Sequence, residues 1–183
     1  MKHIIILSFL IAMTGCQRED VVNPDLKFTP SKIFVKTKGK YKINEVFNFI
    51  NSFDHDVIHM SALTMTSDLP ADSLQYILNY LNNKPYTTDR KDWHVNGRSH
   101  AQTKAITITI SRLFDINNQS YQRDLFESMK ILKLKEVTRN SDIGGYVILF
   151  YVPAGKEIRS IRKFLKHDIV DWAEPNYLLK VEI

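Results

Sequence analysis

Ala105-Ile106-Thr107-Ile108-Thr109-Ile110 begins the part of the chain on which the fold assignment turns. Apolar and polar residues alternate with the period of an extended chain, which predicts a strand with one apolar face. Beyond it, Tyr121, Leu125, Met129 and Leu132 recur at helical spacing. Lys133 to Thr138 reads as a strand, Asn140-Ser141-Asp142-Ile143-Gly144-Gly145 as a turn, and Tyr146 to Val152 as a strongly β-forming strand. Pro153-Ala154-Gly155 leads into a helix with Ile158, Ile161, Phe164 and Leu165 inward. From Asp168 or Ile169 the chain extends again, to Ile183.

Written out, this half is β-α-β-β-α-β, the split βαβ order of ferredoxin-like domains. The first half is less regular. Lys32 to Lys36 reads as a strand, and Ile43, Val46, Phe47, Ile50 and Phe53 mark an amphipathic helix over Lys42 to Phe53. Asp56 to Thr66 reads as extended, one strand or two around Met60-Ser61. Pro70 opens a helix buried through Leu74, Ile77, Leu78 and Leu81, and Asn82 to Lys104 reads as a polar loop holding Trp93. The halves resemble each other. Val46-Phe47 and Leu125-Phe126 stand 79 residues apart, as do Trp93 and Trp172, and Leu69-Pro70-Ala71 and Val152-Pro153-Ala154 stand 83 apart. The expected fold class is therefore α+β, with two tandem ferredoxin-like (βαββαβ) units and antiparallel sheets, over residues 31–103 and 104–183. Coincidence among short apolar patterns is the competing account of the repeat.

The amino terminus predicts where the protein resides. Met1-Lys2-His3 is basic, and Ile4 to Ala12 is apolar except for Ser8. This run suits a signal-peptide core and falls well short of the roughly twenty residues that span a bilayer. Met13-Thr14-Gly15-Cys16 resembles the lipobox of bacterial lipoproteins, with Met13 in place of the more usual leucine. Residues 1–15 are then a signal peptide, Cys16 is the lipidated residue, and residues 16–30, with Pro24 and Pro30, form a tether. Cys16 is the chain's one cysteine, so no disulfide competes for it. Gln17-Arg18-Glu19-Asp20 resembles the short acidic export signal of Bacteroidetes outer-membrane lipoproteins; a plain solvated tether reads equally well. The expected location is the outer membrane, by lipid anchor and facing outward.

Cleavage before Cys16 would leave 168 of the 183 residues, enough for one ordinary domain or two small ones. The formal charge of +5 is scattered apart from Lys36-Thr37-Lys38-Gly39-Lys40 and an Arg159-to-Lys166 face, both read as solvated surface. Export argues against a nucleic-acid partner.

Val152-Pro153-Ala154-Gly155-Lys156, a helix, and then Ile169-Val170-Asp171-Trp172-Ala173-Glu174-Pro175-Asn176-Tyr177 resemble the end of a subtilisin-type protease propeptide, in particular the fervidolysin-like prodomain. The match spans Ala105 to Ile183 at most and is sharp from Ile169 to Tyr177. The resemblance implies a chaperone-inhibitor whose sheet packs on two surface helices of the protease. Asp142 would cap their N-termini, with Glu174, Asn176 and Tyr177 at the contact and the tail directed to the cleft. The chain ends six residues after Tyr177, where a propeptide would run on to its cleavage point. Any protease partner is therefore expected in trans.

Other constellations are weaker. His55 and His59 have metal-ligand spacing only on a helix, and this stretch reads as extended with no third ligand. Ser99-His100 near Asp89 and Asp92 supplies triad residue types without orienting geometry. Gly144 to Tyr151 shares the topology of an RNA-recognition strand and lacks its basic-Gly-aromatic order. No cofactor, metal or enzyme activity is expected. The leading expectation is a non-catalytic, membrane-anchored protein-binding module, an inhibitor or chaperone of a subtilisin-like protease or a binder of another envelope protein. Its rival is a structural or adhesive envelope lipoprotein that recognises a glycan or an outer-membrane component.

Overall fold

The structure, a computed structural model, describes residues 27–137 and 144–178. Alternation in Ile33 to Thr37, with Ile33, Val35 and Thr37 fully buried, sets strand β1 (Phe28–Thr37). Helix α1 (Ile43–Asn51) turns Val46, Phe47 and Ile50 inward. Its start is held by the carboxylates of Glu45 and Glu136, which accept the backbone N–H groups of Lys42 and Ile43 at 2.9 and 3.1 Å. Strand β2 (Asp56–Ser67) is one long strand with a bulge between Val57 and His59. After Pro70 a 3₁₀ turn (Ala71–Ser73) runs into α2 (Leu74–Asn82).

The stretch 82–104, expected as a loop, contains a strand, β3 (Val95–Ser99). Its sequence, Val-Asn-Gly-Arg-Ser, has no apolar alternation, because it is an outer strand held by pairing to β4 (Ile106–Phe114). Asn82 also fixes it from the helix, bonding the carbonyl and N–H of Val95 at 3.2 and 2.7 Å. Then follow α3 (Gln119–Ile131), capped by the Asn118 side chain, β5 (Leu134–Glu136), β6 (Val147–Tyr151), α4 (Glu157–Phe164) and β7 (Val170–Tyr177).

The class is α+β, with a seven-stranded antiparallel open sheet in the order β3-β4-β2-β6-β1-β7. Strand β5 shares one edge of β2 with β6. Strand β6 pairs Asp56 to Met60, and β5 pairs Met65 to Ser67. Two tandem units would each pair their own strands, and this sheet does not. Strand β1 lies between β6 and β7, while β4 lies between β2 and β3. Each half of the sheet thus takes strands from both halves of the chain. With β5 left aside, exchanging β1 with β4, β2 with β6 and β3 with β7 turns the strand order into its own reverse.

Composition explains which strands are inside. Ile106, Ile108 and Ile110 of β4 and Ile148 and Phe150 of β6 have no exposure, so these strands need cover from both neighbours. The outer strands carry the residues that a covered strand tolerates badly, Asn96 and Arg98 in β3 and Asp171, Glu174 and Pro175 in β7.

The helices pack on one another and on the sheet, whose buried side switches along β2 and β4 between Met60 and Leu113 and the next buried pair, Leu63 and Ile110. Phe47 of α1 meets Phe126 of α3 with ring centroids 5.5 Å apart, and Asn51 and Gln122 exchange amide hydrogen bonds of 2.9 Å. Phe164 of α4 stacks on Phe150 at 4.7 Å, and Phe49 of α1 lies 6.3 Å from the same ring. On α2, Leu74 presses on β3 so closely that a Cβ at Gly97 would stand 3.0 Å from it and 2.6 Å from Ile108 Cδ1. Fully buried Tyr86 donates to Asp124 of α3 at 2.7 Å, and Lys84 meets the same carboxylate at 3.0 Å. Burial and that bond hold the Tyr86 hydroxyl protonated far above its usual range.

Candidate functional site

In the half of the sheet under α1 and α4, the opposite side is built from the residues between the buried ones. The row Val57-Phe150-Ile33 points to the helices, so its neighbour, Phe114-His59-Leu149-Phe34-Glu174, points away. Arg112, Ser61, Val147, Lys36 and Trp172 follow at the next positions of those strands. In the other half the uncovered residues lie on the opposite side of the sheet, because Ile110 and Ile108 share the side of Arg112: Thr109 pairs Thr64 and Asn96, and Thr107 pairs Thr66 and Arg98. The threonines are half-buried while Ile106, Ile108 and Ile110 behind them are fully buried. Helix α2, through Leu74 against Ile108, thus lies on the side of the sheet that carries Arg112 and His59 further along. On the side of β7, β1 and β6 turned away from α1 and α4, Phe34 and Trp172 are half-buried and Glu174 is exposed.

Two groups give the face its electrostatic character. His59 has Nδ1 buried with no hydrogen-bond partner among the described residues. Burial first, and the nearby Arg112 charge second, push its pKa down to about 4, so the ring is neutral at ordinary pH. The Arg112 guanidinium itself lies over the Trp93 ring, 3.7 Å from the centroid, a cation–π contact joining β4 to the β3 approach. At the far end of β1 the basic run is clasped, not free. Lys36 pairs Asp171 at 3.3 Å, and Asp168 receives Tyr41, Lys38 and Lys40. The Tyr41 hydrogen bond, followed by the two lysines, holds the Asp168 carboxyl far below its usual range.

Of the residues singled out from sequence, Glu174, Asn176 and Tyr177 lie together on outer strand β7. The Tyr177 ring meets Phe28 edge-on at 6.5 Å, and its hydroxyl is buried without a partner among the described residues. Leu178 donates to the Lys27 carbonyl at 2.8 Å, so the two ends of the described chain lie side by side at one end of the sheet. Cys16 and Asp142 lie outside the described residues. The described flank after Asp142, Gly145, stands against Thr37, whereas Tyr177 pairs with Phe28 at the opposite end of β1. Nine steps of extended chain separate those ends by about 30 Å.

The weaker constellations have other partners. His55 stacks on Phe53 and meets Phe164 edge-on, at 6.2 and 6.0 Å. Asp89 accepts the backbone N–H groups of Trp93, Lys91 and Asp92, which closes a turn and lowers its pKa. His100 Nε2 bonds Thr107 Oγ1 at 3.1 Å. Among the described residues no three His, Cys, Asp or Glu side chains are gathered to hold a metal ion, and no helix is long and apolar enough to cross a membrane. Sequence reasoning missed the Arg112–Trp93 pair and the buried neutral His59. Both depend on which strands adjoin, and no local pattern announces that. No family model, curated protein or solved structure matches the chain.

Proposed function

We propose that this chain is a non-catalytic, lipid-anchored protein-binding module of the bacterial outer membrane, and that its partner is a subtilisin-like protease acting in trans. The observation that carries the reading is the side of β7, β1 and β6 turned away from α1 and α4, on which Phe34 and Trp172 stand partly exposed beside Glu174. A sheet face of this kind is what the propeptide resemblance uses against a protease. The motif from Ile169 to Tyr177 forms the outer strand beside β1, which is also the place of the last strand in a ferredoxin-like unit.

Two ferredoxin-like windings interlocked through β2 account for the sheet on this proposal. The segments β1-α1-β2 and β6-α4-β7 follow the ferredoxin-like spatial order β7-β1-β6-β2, and β2-α2-β3 with β4-α3-β5 follow the same order, β5-β2-β4-β3. The propeptide-like unit then draws two strands from the amino-terminal half.

The test is to titrate the purified full chain into subtilisin-like proteases encoded by the same organism and follow peptide hydrolysis. Saturable inhibition or chaperoned refolding at micromolar concentration is expected, weakened at least tenfold by Asp142→Arg or Glu174→Arg. Absence of binding to every such protease would sink the proposal, and unchanged affinity in both variants would remove the contact assigned to these carboxylates.

A further inference from the structure

Between the start of β2, the end of β6 and the β4–α3 connection lies an open hollow of about 590 Å³, within the size range of small-molecule sites. Its walls are Asp56 and Ile58 of β2, Tyr151 at the end of β6, and Asp115, Asn117 and Asn118 of the β4–α3 connection. Tyr151 is 50% exposed, a large ring left beside water at the end of an otherwise buried strand. It pairs with Asp56 across the sheet, so ring and carboxylate are set by strand register.

The connection is held in place from both sides. The Asn117 amide donates to Asp56 Oδ1 at 3.2 Å, and its carbonyl oxygen accepts the Val57 N–H at 3.1 Å. Asn118 Oδ1 accepts the N–H of Ser120, and its own N–H donates to the Asp115 carbonyl at 3.0 Å. Asp115 takes a left-handed backbone conformation, φ +48°, that Asp and Asn tolerate better than other side chains. Its carboxylate is exposed and bonds no described residue.

The chemistry of these walls narrows the ligand. Two carboxylates and no lining cation disfavour a phosphate or any other anion. Two carboxylates without a third acidic or imidazole group fall short of a metal site among the described residues. An aromatic face beside fixed carboxylate and amide groups suits a neutral ring with an apolar C–H face and a rim of hydroxyls. We infer that this hollow binds a neutral saccharide, with one pyranose face on Tyr151 and adjacent hydroxyls donating to Asp115 and Asp56. The site shares no residue with the face proposed for protein contact, so either can fail without the other.

The experiment uses the purified full chain in a zwitterionic detergent free of sugar. Tetrasaccharides of glucose, mannose, galactose and N-acetylglucosamine are titrated to roughly 10 mM, the weak end of specific recognition. Tyrosine-ring and backbone NMR shifts report occupancy. At least one probe should shift Tyr151 and the 115–118 connection saturably. Tyr151→Ala should weaken binding at least tenfold, Asp115→Asn at least fivefold, and Tyr151→Phe should keep most of the affinity because the ring remains. Asn accepts the backbone conformation of Asp115, so that variant keeps the fold. No saturable shift with any probe would overturn the inference. So would binding unaffected by both Tyr151→Ala and Asp115→Asn, or shifts reproduced by calcium alone and removed by a chelator.

Discussion

Replacing Gly145 by alanine tests the point where the two halves of the chain are joined. Gly145 has φ +104°, well outside the left-handed basin that an L-residue can enter, and holding a side chain there costs about 1–3 kcal/mol. A Cβ would also stand 1.9 Å from the Thr37 carbonyl oxygen and 2.9 Å from its carbon. Those are backbone atoms and cannot swing aside, so the end of β1 must withdraw. Withdrawal strains two hydrogen bonds of 2.9 Å, Thr37 N–H to the Tyr146 carbonyl and Tyr146 N–H to Thr37 Oγ1. Each contributes about 1 kcal/mol net. Reduced freedom of the unfolded chain offsets roughly 0.4–1 kcal/mol. The expected net loss is about 3 kcal/mol, a large part of the roughly 5–15 kcal/mol that holds a typical domain. Gly155 is the internal control. Its φ is +75°, and a methyl group there would meet nothing within 4 Å, so Gly155→Ala should cost only about 1 kcal/mol of backbone strain. Urea unfolding of both variants, read by tryptophan fluorescence and far-ultraviolet circular dichroism, gives the two values. Equal losses, or a Gly145→Ala loss below about 1 kcal/mol, would refute the close approach of Gly145 to β1.

His59 and Glu157 give two further expectations. His59 has a folded pKa of about 4, below its unfolded value of 6.5, so the unfolded chain binds the extra proton between those values. Its contribution is therefore present above pH 6.5 and lost as pH falls towards 4, by about 1–2 kcal/mol after allowance for partial solvent screening. His59→Gln should flatten unfolding free energy across roughly pH 5–6.5, and an unchanged slope there would contradict a neutral buried ring. Glu157, 4% exposed at the start of α4, accepts the Ser31 N–H at 2.8 Å. Burial alone would raise its carboxyl pKa, and the backbone N–H groups of Ser31, Glu157 and Gly155 together bring it below the usual value. Its stabilisation is thus complete above the unfolded pKa and falls away as the solution is acidified through the folded one. Glu157→Ala, which orphans a buried N–H, should cost about 1–3 kcal/mol by denaturant titration, and Glu157→Gln, which keeps an acceptor, clearly less; equal costs would show that the bond to Ser31 contributes nothing.

Local elements were legible in the residues wherever a period was strong. Ile106-Thr107-Ile108-Thr109-Ile110 alternates and is a strand with its isoleucines buried, and the stripe through Leu125 lies on a helix. The extended run that carries Glu174, Asn176 and Tyr177 was legible too, and is one strand. Alternation states which face of a strand is buried but not which strand lies beside it, because the ladder is made of backbone groups that every residue shares. It took the folded sheet to show that β1 sits between β6 and β7, and that Val95–Ser99 is a strand despite its polar sequence. The same limit hid the candidate sites. His59 is neutral because β4 and β6 enclose it, and Tyr151 faces Asp56 because β6 and β2 are in register. Cross-strand pairs of this kind join residues far apart in the chain, and no window of local sequence contains both partners.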